Sequence, residues 1–138
     1  MDENYILFYQ KVSQWAEEID EIKTIIYIAD FEDILNLQLE GIETPIAVIE
    51  LPEFIPDSEN IWLSESAIAI LDPLTADEYT QNNMIIKMST LAKLTKRLTN
   101  YMVDCSDSNV HNLSPIQPIT KATAESLYGW RFMFRMDF

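Results

Sequence analysis

The last eleven residues of the chain, YGWRFMFRMDF, alternate between apolar and mostly charged side chains. Even-numbered positions are apolar and include Trp130 and Phe132, whereas Arg131 and Arg135 occupy odd-numbered positions. A repeat of two residues is typical of a strand with one buried and one solvent-facing side. The pattern therefore predicts a closing strand over residues 128–138, whose aromatic side chains face the core and whose arginines face away from it.

Apolar residues at helical spacing mark two further segments. Residues 5–22 carry an apolar stripe and end in a cluster of acids at 17–21, where the helix is expected to stop. A second, longer helix is predicted from about residue 76 to residue 102. Its start is indicated by Thr75 followed three positions later by Glu78, the spacing of a capping box.

Short runs of β-branched, aliphatic and aromatic residues predict the remaining strands. They lie at residues 24–28, 46–51, 61–71 and, as an edge strand with two prolines, 115–121. Asp72-Pro73 is expected to end the third strand, and the segments PEFIPDSEN and DCSDSNVHN are expected to be loops. Between the first two strands, Asp30 either caps a short helical turn or belongs to an extended loop.

The predicted order is one helix, three strands, a second helix and two strands. Long amphipathic helices need an apolar surface to cover, and one face of a sheet can supply it. The pattern therefore indicates an α+β fold, with a mostly antiparallel sheet of about five strands and both helices packed on one face. A chain of 138 residues is long enough for one domain with its own core, so residues 1–138 are predicted to form a single domain.

Charge is distributed unevenly along the chain. The formal net charge is −14, to which residues 1–80 contribute −17 and residues 81–138 contribute +3. A net charge of this size repels nucleic acid and anionic membranes at long range. The division between the two parts suggests that an acidic surface on one copy can meet a basic surface on another copy.

The sequence contains few of the residues that form catalytic or cofactor-binding sites. Two glycines, Gly41 and Gly129, argue against a glycine-rich phosphate loop. Cys105 and His111 share one polar segment, but no orienting partner is evident, and one histidine with one cysteine cannot supply a zinc site. We therefore expect no enzymatic activity, no catalytic or metal site and no cofactor. We also expect neither a signal peptide nor a membrane-spanning helix.

Interaction surfaces are the remaining candidates for function. Arg131 and Arg135 would project from the open face of the sheet, either to meet an acidic partner or simply to balance acids of the same chain. The full set of candidate self-association or partner residues is Arg131, Arg135, Lys93, Lys96, Arg97, Glu50, Glu53, Asp57 and Glu59.

The order of elements resembles that of the tail-completion, or tail-terminator, and head–tail connector proteins of long-tailed bacteriophages. The matching stretches are FYQKVSQWAEEI, IAVIEL, IWLSESAIAIL, the long second helix DEYTQNNMIIKMSTLAKLTKRLTNYM and the closing YGWRFMFRMDF. The resemblance covers almost the whole chain as topology and pattern. It implies a structural protein that forms a ring, commonly a hexamer, caps the growth of the tail tube or joins tail to head, and resides in the virion after assembly in the host cytoplasm.

The partners implied by this resemblance are further copies of the chain and the proteins of the tail tube or neck. DNA would pass through the ring without being specifically bound, because an acidic lumen does not retain it, and no membrane partner is expected. The same net charge also fits a function of a different class. An acidic monomer could inhibit a nucleic-acid-binding protein by imitating the phosphates of DNA.

Overall fold

A computed structural model of the chain describes residues 2–30, 32–33, 39–56, 62–104, 110–111, 113–120 and 126–137. The elements, in chain order, are α1 (Asp2–Glu17), β1 (Thr24–Ile28), β2 (Ile46–Glu50), β3 (Glu53–Pro56), β4 (Trp62–Pro73), α2 (Gln81–Asp104), β5 (Val110–His111), β6 (Gln117–Ile119) and β7 (Leu127–Asp137). The fold class is α+β, as the sequence predicts, and the order of the main elements agrees with the prediction.

The sheet is built around the two longest strands, β4 and β7, which are antiparallel over eleven residue pairs from Leu63↔Asp137 to Pro73↔Leu127. β2 and β3 both pair antiparallel with β4 on its other side. β5 and β6 pair antiparallel with β7. β1 pairs with β2 in the parallel direction, so the sheet is mixed.

Several predicted element boundaries are wrong, and pairing with a neighbouring strand accounts for the differences. β4 continues through Asp72 and Pro73, because β7 pairs with it as far as Pro73↔Leu127. β2 pairs with β4 only as far as Leu71, so Pro73 has a neighbouring strand on one side only, where a proline is tolerated. Residues 53–56, predicted as part of a loop, form β3 against β4, and residues 110–111 form the short β5 against β7.

The start of α2 also differs from the prediction. Thr75 and Glu78 do exchange the hydrogen bonds of a capping box, in which the Glu78 amide donates to Thr75 Oγ1 and the Thr75 amide donates to Glu78 Oε1, both at 3.3 Å. This box closes a turn that precedes the helix, and its hydrogen bonds lower the pKa of the Glu78 carboxyl. The helix itself begins at Gln81, where Thr80 Oγ1 accepts a hydrogen bond of 3.0 Å from the Asn83 amide.

The main core lies between the two helices and one face of the sheet. Phe132, Phe134 and Met136 of β7 are each 1% exposed and pack with Leu91, Leu98 and Met102 of α2. Phe8 of α1 stacks on Phe134 with a centroid distance of 6.1 Å. The predicted inward face of the closing strand is therefore confirmed.

A second apolar cluster covers one end of the opposite sheet face. Leu39 and the half-buried Ile42 pack there against Ile46, Val48 and Leu71. Before this segment, Asp30 accepts a hydrogen bond from the Glu32 amide, and residues 32–33 form a short helical turn, which favours the capping interpretation of Asp30. The rest of this face, near the C-terminal end of β7, forms an open groove.

Candidate interaction surfaces

The groove lies on the sheet face opposite the helices and has a volume of about 590 Å³. Side chains of β2, β3, β4 and β7 line it together with residues from the segments around Asp30 and Ser114. Met133 lies between the two arginines of β7 and is 48% exposed. The groove therefore combines an exposed apolar side chain with charged groups from four strands, β2, β3, β4 and β7.

Arg131 makes a bidentate contact with Glu50 across the width of β4. Its Nε donates to Glu50 Oε2 at 2.9 Å, and its Nη2 donates to Glu50 Oε1 at 3.2 Å. The strand register places Ala67 and Ala69 on this face between β2 and β7, and their small side chains leave room for the arginine to reach over. Ser66 Oγ also donates to the backbone carbonyl of Glu50, which holds the end of β2 in position.

Arg135 pairs with Glu65, its direct neighbour in the register of β4 and β7. Both side chains are about two-fifths exposed, at 42% and 40%. The two arginines thus lie on the predicted face, but each has an acidic partner within the same chain. This arrangement favours the interpretation in which they balance local acids.

Two carboxylates of the groove have no cation within ion-pair distance in the described part of the chain. Glu53, at the start of β3, is exposed, and so is Asp30. Asp57 and Glu59, the other candidate acids, lie outside the described residues. Among the charged residues that line the groove, four are acidic and two are basic, so the groove is net negative.

The candidate cations of the second helix lie on its outer surface. Lys93, Lys96 and Arg97 are all exposed. Arg97 forms an ion pair with Glu21, in the segment that follows α1. Lys93 and Lys96 form no ion pair with any residue that the structure describes. The structure thus places the three cations on one helix and the groove acids elsewhere, on the other side of the sheet.

Three charged residues that matter for these surfaces were missed by sequence reasoning. Glu65 and Glu21 are the partners of Arg135 and Arg97, and Asp72 accepts a hydrogen bond of 2.6 Å from Lys87 Nζ. Glu65 could have been found from the alternation of β4 opposite that of β7. The other two pairings depend on how the helices lie on the sheet, for which the sequence contains no local signal.

The described residues contain no group of three or more histidine, cysteine, aspartate or glutamate side chains that could hold a metal ion. No helix in the described part of the chain is long and apolar enough to cross a membrane. His111 lies in β5, whereas Cys105 is outside the described residues, so the expectation that the two form no catalytic pair stays a prediction.

A comparison with protein-family models and with curated proteins finds no match to the sequence.

Proposed function

We propose that the chain is a ring-forming structural component of a phage or prophage virion, acting as a tail-completion protein or as a head–tail joining protein. The observation that carries the proposal is the order and packing of the elements. An N-terminal helix, a set of strands, a 24-residue helix and a closing strand follow one another, with both helices on one face of the sheet. This is the order on which the resemblance to those proteins rests.

The distribution of charge supports an assembly role. α2 contains four cationic side chains and a single acid, Asp104, within a protein whose net charge is −14. A closed ring of identical subunits needs two different surfaces that fit each other on every subunit. Oppositely charged surfaces on one chain meet this requirement, and the overall acidity would let DNA pass through the ring without being retained.

Electron microscopy of particles assembled without the protein tests the proposal directly. A tail-completion protein should leave tails of uncontrolled length, whereas a joining protein should leave complete heads and tails that are not attached to each other. The wild-type gene supplied in trans should restore normal particles in either case. Normal particles in the absence of the protein would rule out both roles.

A second candidate is an acidic module that inhibits a nucleic-acid-binding protein. The ion pairs of Lys87, Arg97, Arg131 and Arg135 with acids of the same chain favour it, because acids outnumber bases by 23 to 9 and carboxylates therefore remain for a basic partner. This candidate requires a monomer that binds a basic protein with a strong dependence on salt concentration. Sedimentation of the free protein, and of its mixture with such a partner, separates it from the ring.

A further inference from the structure

The outer surface of α2 carries a continuous stripe that differs from the rest of the molecule. We call it the α2 stripe, and it consists of Ile86, Lys93, Lys96 and Val103 with the small polar residues between them. Ile86 and Val103 are 56% and 58% exposed, and Ile85, next to Ile86 in the chain, is 58% exposed. The stripe spans about 25 Å of helix, and no acid lies between Gln81 and Val103. It is cationic at its centre and apolar at both ends.

The groove has the complementary composition. Its exposed apolar side chain is Met133, and the acids without a cationic partner in the described residues are Glu53 and Asp30. Glu50 and Glu65 are already paired within the chain, so the negative potential that is left comes from Glu53 and Asp30. An apolar centre with acids beside it complements a helix that presents lysines beside aliphatic residues.

The two surfaces point in opposite directions. α2 packs on the sheet face that carries Phe132 and Phe134, whereas Met133 belongs to the other face of the same strand. One molecule therefore cannot bring its own stripe to its own groove. Two copies joined through stripe and groove each keep one unused surface, so such a contact is head-to-tail and builds a ring when the rotation between copies closes, or a filament when it does not.

We infer that the groove is the docking site for the α2 stripe of a second copy of this chain. Lys93 and Lys96 lie against Glu53 and Asp30, and an aliphatic end of the stripe covers Met133. The inference rests on the proposed ring and names its subunit interface. Arg131 and Arg135 are already paired with Glu50 and Glu65 of the same chain. They therefore contribute to the shape of the groove and do not attract the neighbouring copy.

Charge reversal on either surface tests this interface. Lys93→Glu with Lys96→Glu makes the stripe acidic, and Glu53→Lys with Met133→Lys makes the groove basic. Sedimentation velocity at low salt should show that either pair weakens self-association at least about tenfold, because like charges then meet. The four changes combined in one chain should recover part of the lost association, since stripe and groove are again opposite in sign while the apolar contact of Met133 is missing.

Net charge alone cannot produce this result. The stripe variant has a net charge of −18, the groove variant −11 and the combined variant −15, against −14 for the wild type. General repulsion between copies would make the groove variant associate more strongly than the wild type, whereas the interface predicts that it associates more weakly. The pair Gln10→Glu with Gln14→Glu and the pair Glu40→Lys with Glu43→Lys, at exposed positions that belong to neither surface, are the charge controls and should leave association unchanged.

Disulfide cross-linking is a second measurement, and it can trap a contact that is too weak to be seen by sedimentation. In a chain with Cys105→Ser, cysteines introduced at Glu53 and Lys96 cannot bridge within one molecule, because they lie on opposite sides of the sheet. Mild oxidation should give a ladder of covalent multimers. The control Cys105→Ser with cysteines at Gln10 and Glu40, exposed positions on α1 and on the segment that covers the other sheet face, should give none above the background.

The failure of this interface is distinguishable from failure of the ring. If the wild type associates and neither charge-reversed variant changes this, the interface is wrong while the ring stands. If the wild type stays monomeric at low salt and gives no ladder, the interface is likewise refuted. The role in the virion is then judged separately, by the tails and heads that form without the protein.

Discussion

Arg131 and Glu50 are 81 residues apart in the sequence and form a bidentate ion pair whose closest contact, Nη2 to Oε2, is 2.8 Å. Their side chains are only 19% and 17% exposed. The pair spans β4 and so ties together strands that do not hydrogen-bond with each other. Its removal should therefore affect the stability of the sheet more than the loss of a surface ion pair would.

Arg131→Met is the first prediction. Loss of the guanidinium leaves Glu50 half-buried without its partner, which should lower the free energy of unfolding by about 1–3 kcal/mol. Glu50→Gln should have an effect of similar size, and the double variant should lose less than the sum of the two. Urea denaturation measures all three. Arg135→Met, whose pair with Glu65 is more exposed, is the control and should lose less than about 1 kcal/mol. Equal losses at Arg131 and Arg135 would contradict the prediction.

Phe132→Ala tests the inward face of β7. The side chain is 1% exposed between the sheet and the helices, so its truncation should lower the free energy of unfolding by about 3–5 kcal/mol. The neighbouring Met133→Ala, at a position that is 48% exposed, should change it by less than about 1 kcal/mol. Chemical denaturation of the two variants side by side gives the comparison, and a harmless Phe132→Ala would be incompatible with this packing.

Gly129→Ala tests how closely β4 and β7 approach each other. A Cβ atom at Gly129 would lie 1.8 Å from the backbone oxygen of Ile70, and backbone cannot move aside as a side chain can. We expect a loss of about 3 kcal/mol or more, or failure to fold. Gly41→Ala is the matched control, because that site is open and only its positive φ of 77° opposes a side chain. Its cost should be about 1–2 kcal/mol, and thermal denaturation can rank the two.

Thr80→Ala tests where α2 begins. Thr80 Oγ1 satisfies the Asn83 amide in the first turn of the helix, so its loss should cost about 1 kcal/mol. Thr75→Ala removes the capping box of the preceding turn, which lies outside the helix, and should cost less. A larger loss at Thr75 than at Thr80, measured by urea denaturation, would place the true helix start at the earlier position.

Tyr27 provides a prediction about pH. Burial raises the pKa of its hydroxyl above the usual value of 10.0, against the opposing effect of its hydrogen bond with Ser13. Charge on Tyr9 and Glu17 raises the pKa further. The folded state therefore holds this proton more tightly than the unfolded state does. The resulting stabilisation is fully present below pH 10 and is lost as the pH rises through the higher pKa of the folded state.

The measurement compares the wild type with Tyr27→Phe, which cannot ionise at this position. Free energies of unfolding on either side of pH 10 should fall less for the variant than for the wild type. Tyr79→Phe, at a position that is 47% exposed, should behave as the wild type does. An identical decline in wild type and Tyr27→Phe would show that the Tyr27 proton does not contribute.

The sequence by itself determined the features that repeat locally. The two-residue period of β7 placed Phe132 inward and Arg131 outward, because successive side chains of a strand must point to opposite faces. The helical spacing in α2 likewise separated its buried leucines from Lys93 and Lys96, which are exposed. Both assignments follow from the geometry of a single element and need no knowledge of its neighbours.

Only the tertiary structure decided how distant segments meet. The parallel pairing of β1 with β2, the continuation of β4 through Pro73 and the choice of Glu50 as the partner of Arg131 all depend on the register between strands. Register is set by packing summed over the whole sheet, and no short stretch of sequence encodes it. Four strands contribute side chains to the groove. For the same reason, the sequence predicted an open sheet face there but not the groove itself.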